Sequence, residues 1–325
     1  EIIKGKQTGD RAVAKALDYV RQIRKTPIVV NDARFFYANR CIIPYVNEGA
    51  RMITEGVSPV LIDNAARQLG FPVGPIQLTD ETSIDLGAKI ARATKAAMGD
   101  EYPDSPADEM IFWMEDLGRL GRKANAGFFD YDEKGKRVEY WKGMQEKYPL
   151  AEEQPDLIEV QERLMFAQVL EAVRALEEGV LEDIREGDVG AILGWGFAPW
   201  SGGPFSWLDI LGTPYAAERC DQLTETCGPR FATPDLLRDQ PDAHWMPVMV
   251  DPERWVATEQ PLVRARPVVL HAPTNPRIKG THLIEPTLWR MHEAGLIDYR
   301  PVSGVPASDM PALVRSADIV IDQVR

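Results

Sequence analysis

Apolar residues recur at helical spacing over most of this chain. Between Asp10 and Lys25, Val13, Leu17, Val20 and Ile23 share one face, and Lys and Arg close the last turn, which predicts an amphipathic helix. Short β-branched runs flank it, in residues 1–4 and, after Thr26-Pro27, in Ile28-Val29-Val30. Strand, helix, strand is one βαβ unit, a pattern that belongs to a larger parallel sheet. The run 35–55 is helical with Pro44 well inside, so a kink or a break is expected there. Ser58-Pro59 supplies a cap and a first-turn residue for a helix ending at Gly70. Gly74-Pro75 opens another that runs toward Met98, and a further helix covers about 108–120. Phe128–Tyr131 and Arg137–Tyr140 bracket Asp132-Glu133-Lys134-Gly135 in a hairpin pattern.

Much of the stretch from Asp32 to Asp85 returns later in the chain. Aligning Arg40 with Arg163 places Glu48 on Glu171, Arg51 on Arg174 and Gly56 on Gly179, and two small insertions bring Gly74-Pro75 onto Gly203-Pro204. Helices are expected near 156–178, 184–193, 204–211 and 215–226. Beyond about Phe231 the character changes. Pro267–His271, Tyr299–Val302 and Ala317–Asp322 read as strands alternating with helices over Thr281–Ala294 and Ser308–Arg315, which predicts a second parallel α/β unit. Both ends of the sequence fall next to a strand, so each is expected to interrupt an α/β domain.

The expected class is mostly α: a duplicated helical module, preceded by the last βαβ unit of a Rossmann-like domain and followed by a partial α/β unit. The boundaries are 1–31, 32–142, 143–235 and 236–325. Composition changes this little. The net charge of −13 argues against a nucleic-acid footprint, which needs a basic patch. Cys41, Cys220 and Cys227 cannot all pair and lack metal-ligand spacing, so reduced thiols in a cytoplasmic protein and no metal site are expected. No apolar run is long enough to span a bilayer. All four histidines (His244, His271, His282, His292) lie late in the chain, so acid/base chemistry earlier on would lack the residue best suited to it.

Several motifs carry a family resemblance. Glu1-Ile-Ile-Lys-Gly5, Phe36-Tyr-Ala-Asn39-Arg40, Gly70-Phe-Pro-Val-Gly-Pro75, Gly121–Tyr131, Gly194–Pro204 and Gly228–Ala232 follow one another as in 3-hydroxyacyl-CoA dehydrogenases. Residues 1 to about 238 resemble the C-terminal part of that family, above all the multifunctional fatty-acid oxidation α-subunits, which carry the helical module twice. The resemblance implies NAD-dependent oxidation of a 3-hydroxyacyl-CoA to the 3-ketoacyl-CoA. It also implies an acyl-CoA substrate, a homo-oligomer and a thiolase subunit as partner. In the family a His takes the hydroxyl proton and a Glu orients it, and an Asn meets the substrate carbonyl. By position these imply Glu1 and Asn39 as catalytic residues, Asn39 also binding substrate. The His and the Gly-rich NAD loop would precede residue 1, so the isolated chain is expected to be inactive and to hold no cofactor. Simpler members carry Gly-Phe where this chain has Phe35-Phe36. A non-catalytic reading, a dimerisation and acyl-CoA-docking platform, stands beside this one.

From about Thr233 a second resemblance begins. Pro241–Pro252, His271-Ala-Pro-Thr-Asn, Ile278-Lys279-Gly280-Thr281 and Ser316–Gln323 are similar to the donor half of a GT-B glycosyltransferase. That resemblance implies Lys279 and Gly280 as the site of a nucleotide-sugar diphosphate, at a helix N-terminus. The two resemblances meet around Thr233–Leu237, which implies a composite sequence. Other features have plainer readings. The two Gly-Pro pairs are helix starts, Trp195, Trp200 and Trp207 are core packing, and Lys89, Arg92 and Lys95 are a solvated face rather than a phosphate site.

Overall fold

The computed structural model describes residues 1–103, 105–238, 264–272, 281–306 and 309–321. They fall into two compact units, Glu1–Trp245 and Met246–Arg325. The fold is mostly helical, with short strands at the edges.

The larger unit opens with β1 (Ile2–Lys4), α1 (Asp10–Gln22) and β2 (Val29–Asn31), and β1 pairs parallel with β2 from Ile2↔Val29 to Lys4↔Asn31. The first helical module follows as α2 (Ala38–Thr54), α3 (Pro59–Gln68), α4 (Pro75–Thr82), α5 (Ile84–Met98) and α6 (Pro106–Asp116). An antiparallel hairpin of β3 (Phe129–Tyr131) and β4 (Arg137–Tyr140) closes it, and α7 (Gly143–Lys147) leads away. The second module consists of α8 (Leu157–Glu177), α9 (Ile184–Trp195), α10 (Pro204–Leu211), α11 (Thr213–Cys227) and the short α12 (Asp235–Arg238).

Two expectations need correction. Gly74-Pro75 does not open one helix to Met98. The helix stops at Thr82 because Ser83 takes a left-handed φ of 87°, and its hydroxyl donates to the Leu120 carbonyl at 3.1 Å. Pro44 does not break α2, which continues through it while packing along α8, α4 and α6. Pro59 starts α3 as expected, although the Ser58 side chain makes no capping bond.

The repeat is visible as packing. The central pair is α2 against α8. Both end the same way, with Gly56 (φ 87°) and Gly179 (φ 68°) just past the last turn. Val57 N–H reaches back to Met52 O at 2.9 Å, and Val180 N–H to Ala175 O at 2.8 Å, so each closes the helix as a glycine C-cap. The equivalent charges cross between modules. Arg40 donates to Glu171 (2.9 Å) and pairs with Glu178, while Arg163 donates to Glu48 (2.7 Å) and pairs with Glu55 (2.7 Å). A further device occurs twice. Asp63 accepts from the Ile76 and Gln77 N–H groups at the start of α4, and Asp188 from the Phe205 and Ser206 N–H groups at the start of α10. Each carboxylate satisfies orphan donors and faces the positive end of a helix dipole. The preceding Gly74 and Gly203 make room for it: a Cβ there would lie 2.1 and 2.4 Å from the carboxylate oxygens.

The smaller unit is a parallel sheet in the order β6–β5–β7, formed by β5 (Val268–His271), β6 (Asp298–Pro301) and β7 (Ile319–Ile321) with α13 (Thr281–Glu293) and α14 (Met310–Arg315). His271 is fully buried at the end of the central strand, its ring nitrogens 2.7 Å from Ile321 O and 2.8 Å from Thr281 Oγ1. Among the described residues no helix is long and apolar enough to cross a membrane.

Candidate functional site

A cleft of about 650 Å³ runs along one side of α2, walled mainly by the first module, with Ala167, Glu171 and Arg174 of α8 and the later Arg230 and Phe231 also lining it. Asn39, Ile42, Ile43, Val46, Asn47, Ala50 and Arg51 form the α2 wall, spaced three and four residues apart so that one stripe of the helix faces the opening. Leu78 and Thr82 on α4, and Leu86, Ile90 and Thr94 on α5, line the other side. The threonines do not make this wall polar. The hydroxyls of Thr79, Thr82 and Thr94 turn back onto the carbonyls four residues earlier, at 2.8, 2.9 and 2.8 Å. Bonded this way, they leave their methyl groups to the cleft.

At one end stands Asn39, exposed in the first turn of α2, with no hydrogen-bond partner among the described residues. Glu1 lies beside it. Its Oε1 accepts from Ala38 N–H at 2.7 Å and Tyr37 N–H at 3.2 Å, so the carboxylate caps α2. The structure therefore places the Glu1 carboxylate next to Asn39 at the start of α2, and of the two only Asn39 lines the cleft. Trp195 and Trp207 pack as expected, against Tyr37 and Phe166, but Trp200 is 44% exposed and donates to Leu69 O.

The backbone entering this mouth is strained. Phe35 and Phe36 take left-handed φ angles of 67° and 53°, where bulky residues are rare. The buried Tyr37 holds them there: its hydroxyl donates to Gly187 O and its ring meets Trp195 edge-on at 5.5 Å. Phe35 also lines the cleft. Because φ is the obstacle, Phe35→Val is expected to destabilise the protein by about 1–2 kcal/mol, whereas Phe35→Gly is close to neutral. Urea unfolding midpoints of the two variants measure the difference.

At the opposite end the cleft turns polar, with Arg51, Ser105, Asp108 and Tyr102. Tyr102 donates to Asp108 at 2.5 Å, and burial pushes the Asp108 carboxyl up. Arg51 and this polar end were not singled out in the sequence as a site. The signal was present in the repeat, since Arg51 and Arg174 occupy equivalent positions yet meet different partners. Lys279, Gly280 and the 241–252 motif lie outside the described residues. Arg92 pairs with Glu115 on an exposed face of α5, and Lys89 and Lys95 are exposed beside it. Among the described residues no three His, Cys, Asp or Glu side chains converge as a metal site.

Of the helices that line the cleft, α2, α4, α5 and α6 lie inside the segment that comparison with known proteins picks out, and α8 lies outside it. Residues 36–131 match the family 3-hydroxyacyl-CoA dehydrogenase, C-terminal domain. Two solved structures are similar over most of the chain. The 3-hydroxybutyryl-CoA dehydrogenase of Escherichia coli K12 is 20% identical, with a TM-score of 0.57 over 74% of this chain and 66% of its own. At that identity the likeness is one of fold. The dehydrogenase part of multifunctional enzyme 1 from C. elegans is 26% identical, with a TM-score of 0.54 over 73% of this chain and 55% of its own. The chain thus spans just under two thirds of the first and about half of the second. Nothing in these comparisons supports the glycosyltransferase resemblance of the C-terminal residues.

The turn from β1 into α1 reads Gly5-Lys-Gln-Thr-Gly9, without the G-x-G-x-x-G spacing that brings a pyrophosphate onto a helix N-terminus.

Proposed function

We propose that the larger unit binds the acyl part of a 3-hydroxyacyl-CoA for oxidation to the 3-ketoacyl-CoA in fatty-acid β-oxidation. The observation that carries this reading is Asn39 lining one end of an apolar cleft, with the Glu1 carboxylate bonded to the adjacent Ala38 N–H. Asn39 has a free amide there, suited to donate to the thioester carbonyl. The slot beyond it accepts a hydrocarbon chain without leaving a threonine hydroxyl unpaired. Glu1 places a carboxylate beside Asn39, where it would stabilise a positively charged proton acceptor. No histidine precedes His244, so no proton acceptor is assigned within this cleft. Pure docking would use the same slot but would have no need of the Glu1 carboxylate beside Asn39.

The test is acyl-CoA binding by calorimetry. Decanoyl-CoA is expected to bind more tightly than free CoA. Val46→Trp, which fills the slot, is expected to abolish that difference, a loss of about tenfold or more for a buried chain. Equal binding of decanoyl-CoA and CoA by the unaltered protein would remove the basis for this reading.

A further inference from the structure

Arg51 and Arg174 are equivalent in the repeat, three residues after the equivalent Glu48 and Glu171. In the second module the pair closes: Arg174 meets Glu171 at 2.7 Å and also donates to Ala232 O at 2.8 Å. Glu171 then serves one arginine of its own helix and Arg40 of the other module. Symmetry would give Glu48 the same two partners, Arg163 and Arg51. Instead Arg230, from the segment after α11, takes the second place, with Nε 2.6 Å from Oε2 and a further contact of 2.9 Å to Oε1. Arg51 is displaced. Among the described residues it has no carboxylate within ion-pair distance, only the Ser105 hydroxyl at 3.5 Å, and it lines the far end of the cleft.

A half-buried guanidinium facing an apolar slot calls for an anion or a strong acceptor. Arg51 follows Asn39 by twelve residues of one helix, about 18 Å, which an extended chain of roughly fourteen carbons spans. We infer that Arg51 is a specificity-determining residue of the cleft, anchoring a terminal carboxylate on an acyl chain whose thioester end lies at Asn39. The ligand class is thus a long-chain acyl group bearing an ω-carboxylate. Asp108 lines the same end; among the described residues it has no cationic partner within ion-pair distance, and it accepts from the Tyr102 hydroxyl. Burial lowers the Arg51 pKa, with Arg230 adding to the effect, so an incoming carboxylate also relieves an unfavourable cation.

This inference rests on the acyl-binding reading, and the experiment separates the two. The intact protein is titrated with the mono-CoA thioester of hexadecanedioic acid and with palmitoyl-CoA, each below its micelle concentration. The unaltered protein is expected to prefer the diacid thioester by about tenfold to a hundredfold, the value of a charge-assisted hydrogen bond. Arg51→Met is expected to bring the diacid thioester to the affinity of palmitoyl-CoA, and Asp108→Asn to widen the preference. Equal binding of both thioesters by the unaltered protein, or an equal loss of both in Arg51→Met, overturns the role of Arg51 while leaving the cleft as an acyl site. Binding of neither overturns both readings.

Discussion

Glu48→Ala is expected to destabilise the protein by about 3–5 kcal/mol, the usual consequence of removing one partner from a buried charge cluster. Glu48 is 2% exposed and Arg163 4%. With Glu48 gone, Arg163 would retain only Glu55, and Arg230 would keep only a distant contact of 3.8 Å to the same residue. Buried cations would be left without their main counter-charge at the centre of the α2–α8 contact. The equivalent change on the other side should be milder. Glu171 and Arg40 have side chains 19% and 16% exposed, and Arg40 keeps Glu178. Water and the second carboxylate compensate, so Glu171→Ala is expected to cost about 1–2 kcal/mol. Urea unfolding of both variants gives the comparison. Equal losses would mean that the crossed pairs contribute alike despite their different burial.

The second large effect belongs to Asp63. Its carboxylate is fully buried and accepts from Ile76 N–H (3.0 Å), Gln77 N–H (3.2 Å) and the Tyr140 hydroxyl (3.0 Å), so it ties α3, the start of α4 and the hairpin together. Asp63→Ala leaves those donors buried without acceptors and is expected to cost about 2–4 kcal/mol at neutral pH. Burial pushes the Asp63 carboxyl up to about 6 from an ordinary 3.8, against the pull of its three donors. The folded protein therefore holds this proton more tightly than the unfolded chain does. Its contribution is fully present below pH ~4 and is lost as the pH rises through about 6. The stability gap between the parent protein and Asp63→Ala should narrow across that window, by on the order of 2 kcal/mol. A gap independent of pH from 4 to 7 would show that Asp63 titrates normally.

The duplicated module was legible because its equivalent residues keep fixed spacing, and short motifs were enough to pick out Glu1 and Asn39 as candidates. What the pairs do was not legible. A one-dimensional alignment sets Arg40 beside Arg163 but cannot say that each reaches the other module's glutamate. The break at Ser83 was missed because the apolar spacing runs on through it, while the left-handed turn is held by contacts of the Ser83 hydroxyl to Asp85 and to Leu120, 37 residues away. Pro44 signalled a break that packing against α8 prevents. Arg51 escaped notice for a related reason. Its freedom arises from Arg230, far along the chain and outside the helical repeat itself, taking the place at Glu48.

The crossed pairs between α2 and α8 have a consequence for assembly. Every contact that the first module makes to the second within one chain is equally available between two chains, which is the condition for domain swapping. A flexible connector holds the intramolecular partner at an effective concentration in the millimolar range. This connector is also stitched down. Ala151 N–H donates to Gly56 O at 2.9 Å, and Gln154 bonds both Gly56 O and Ser58 N–H. Loosening it with Gln154→Gly would leave the core untouched yet weaken the chain's hold on its own second half, so that exchange between molecules becomes a matter of protein concentration.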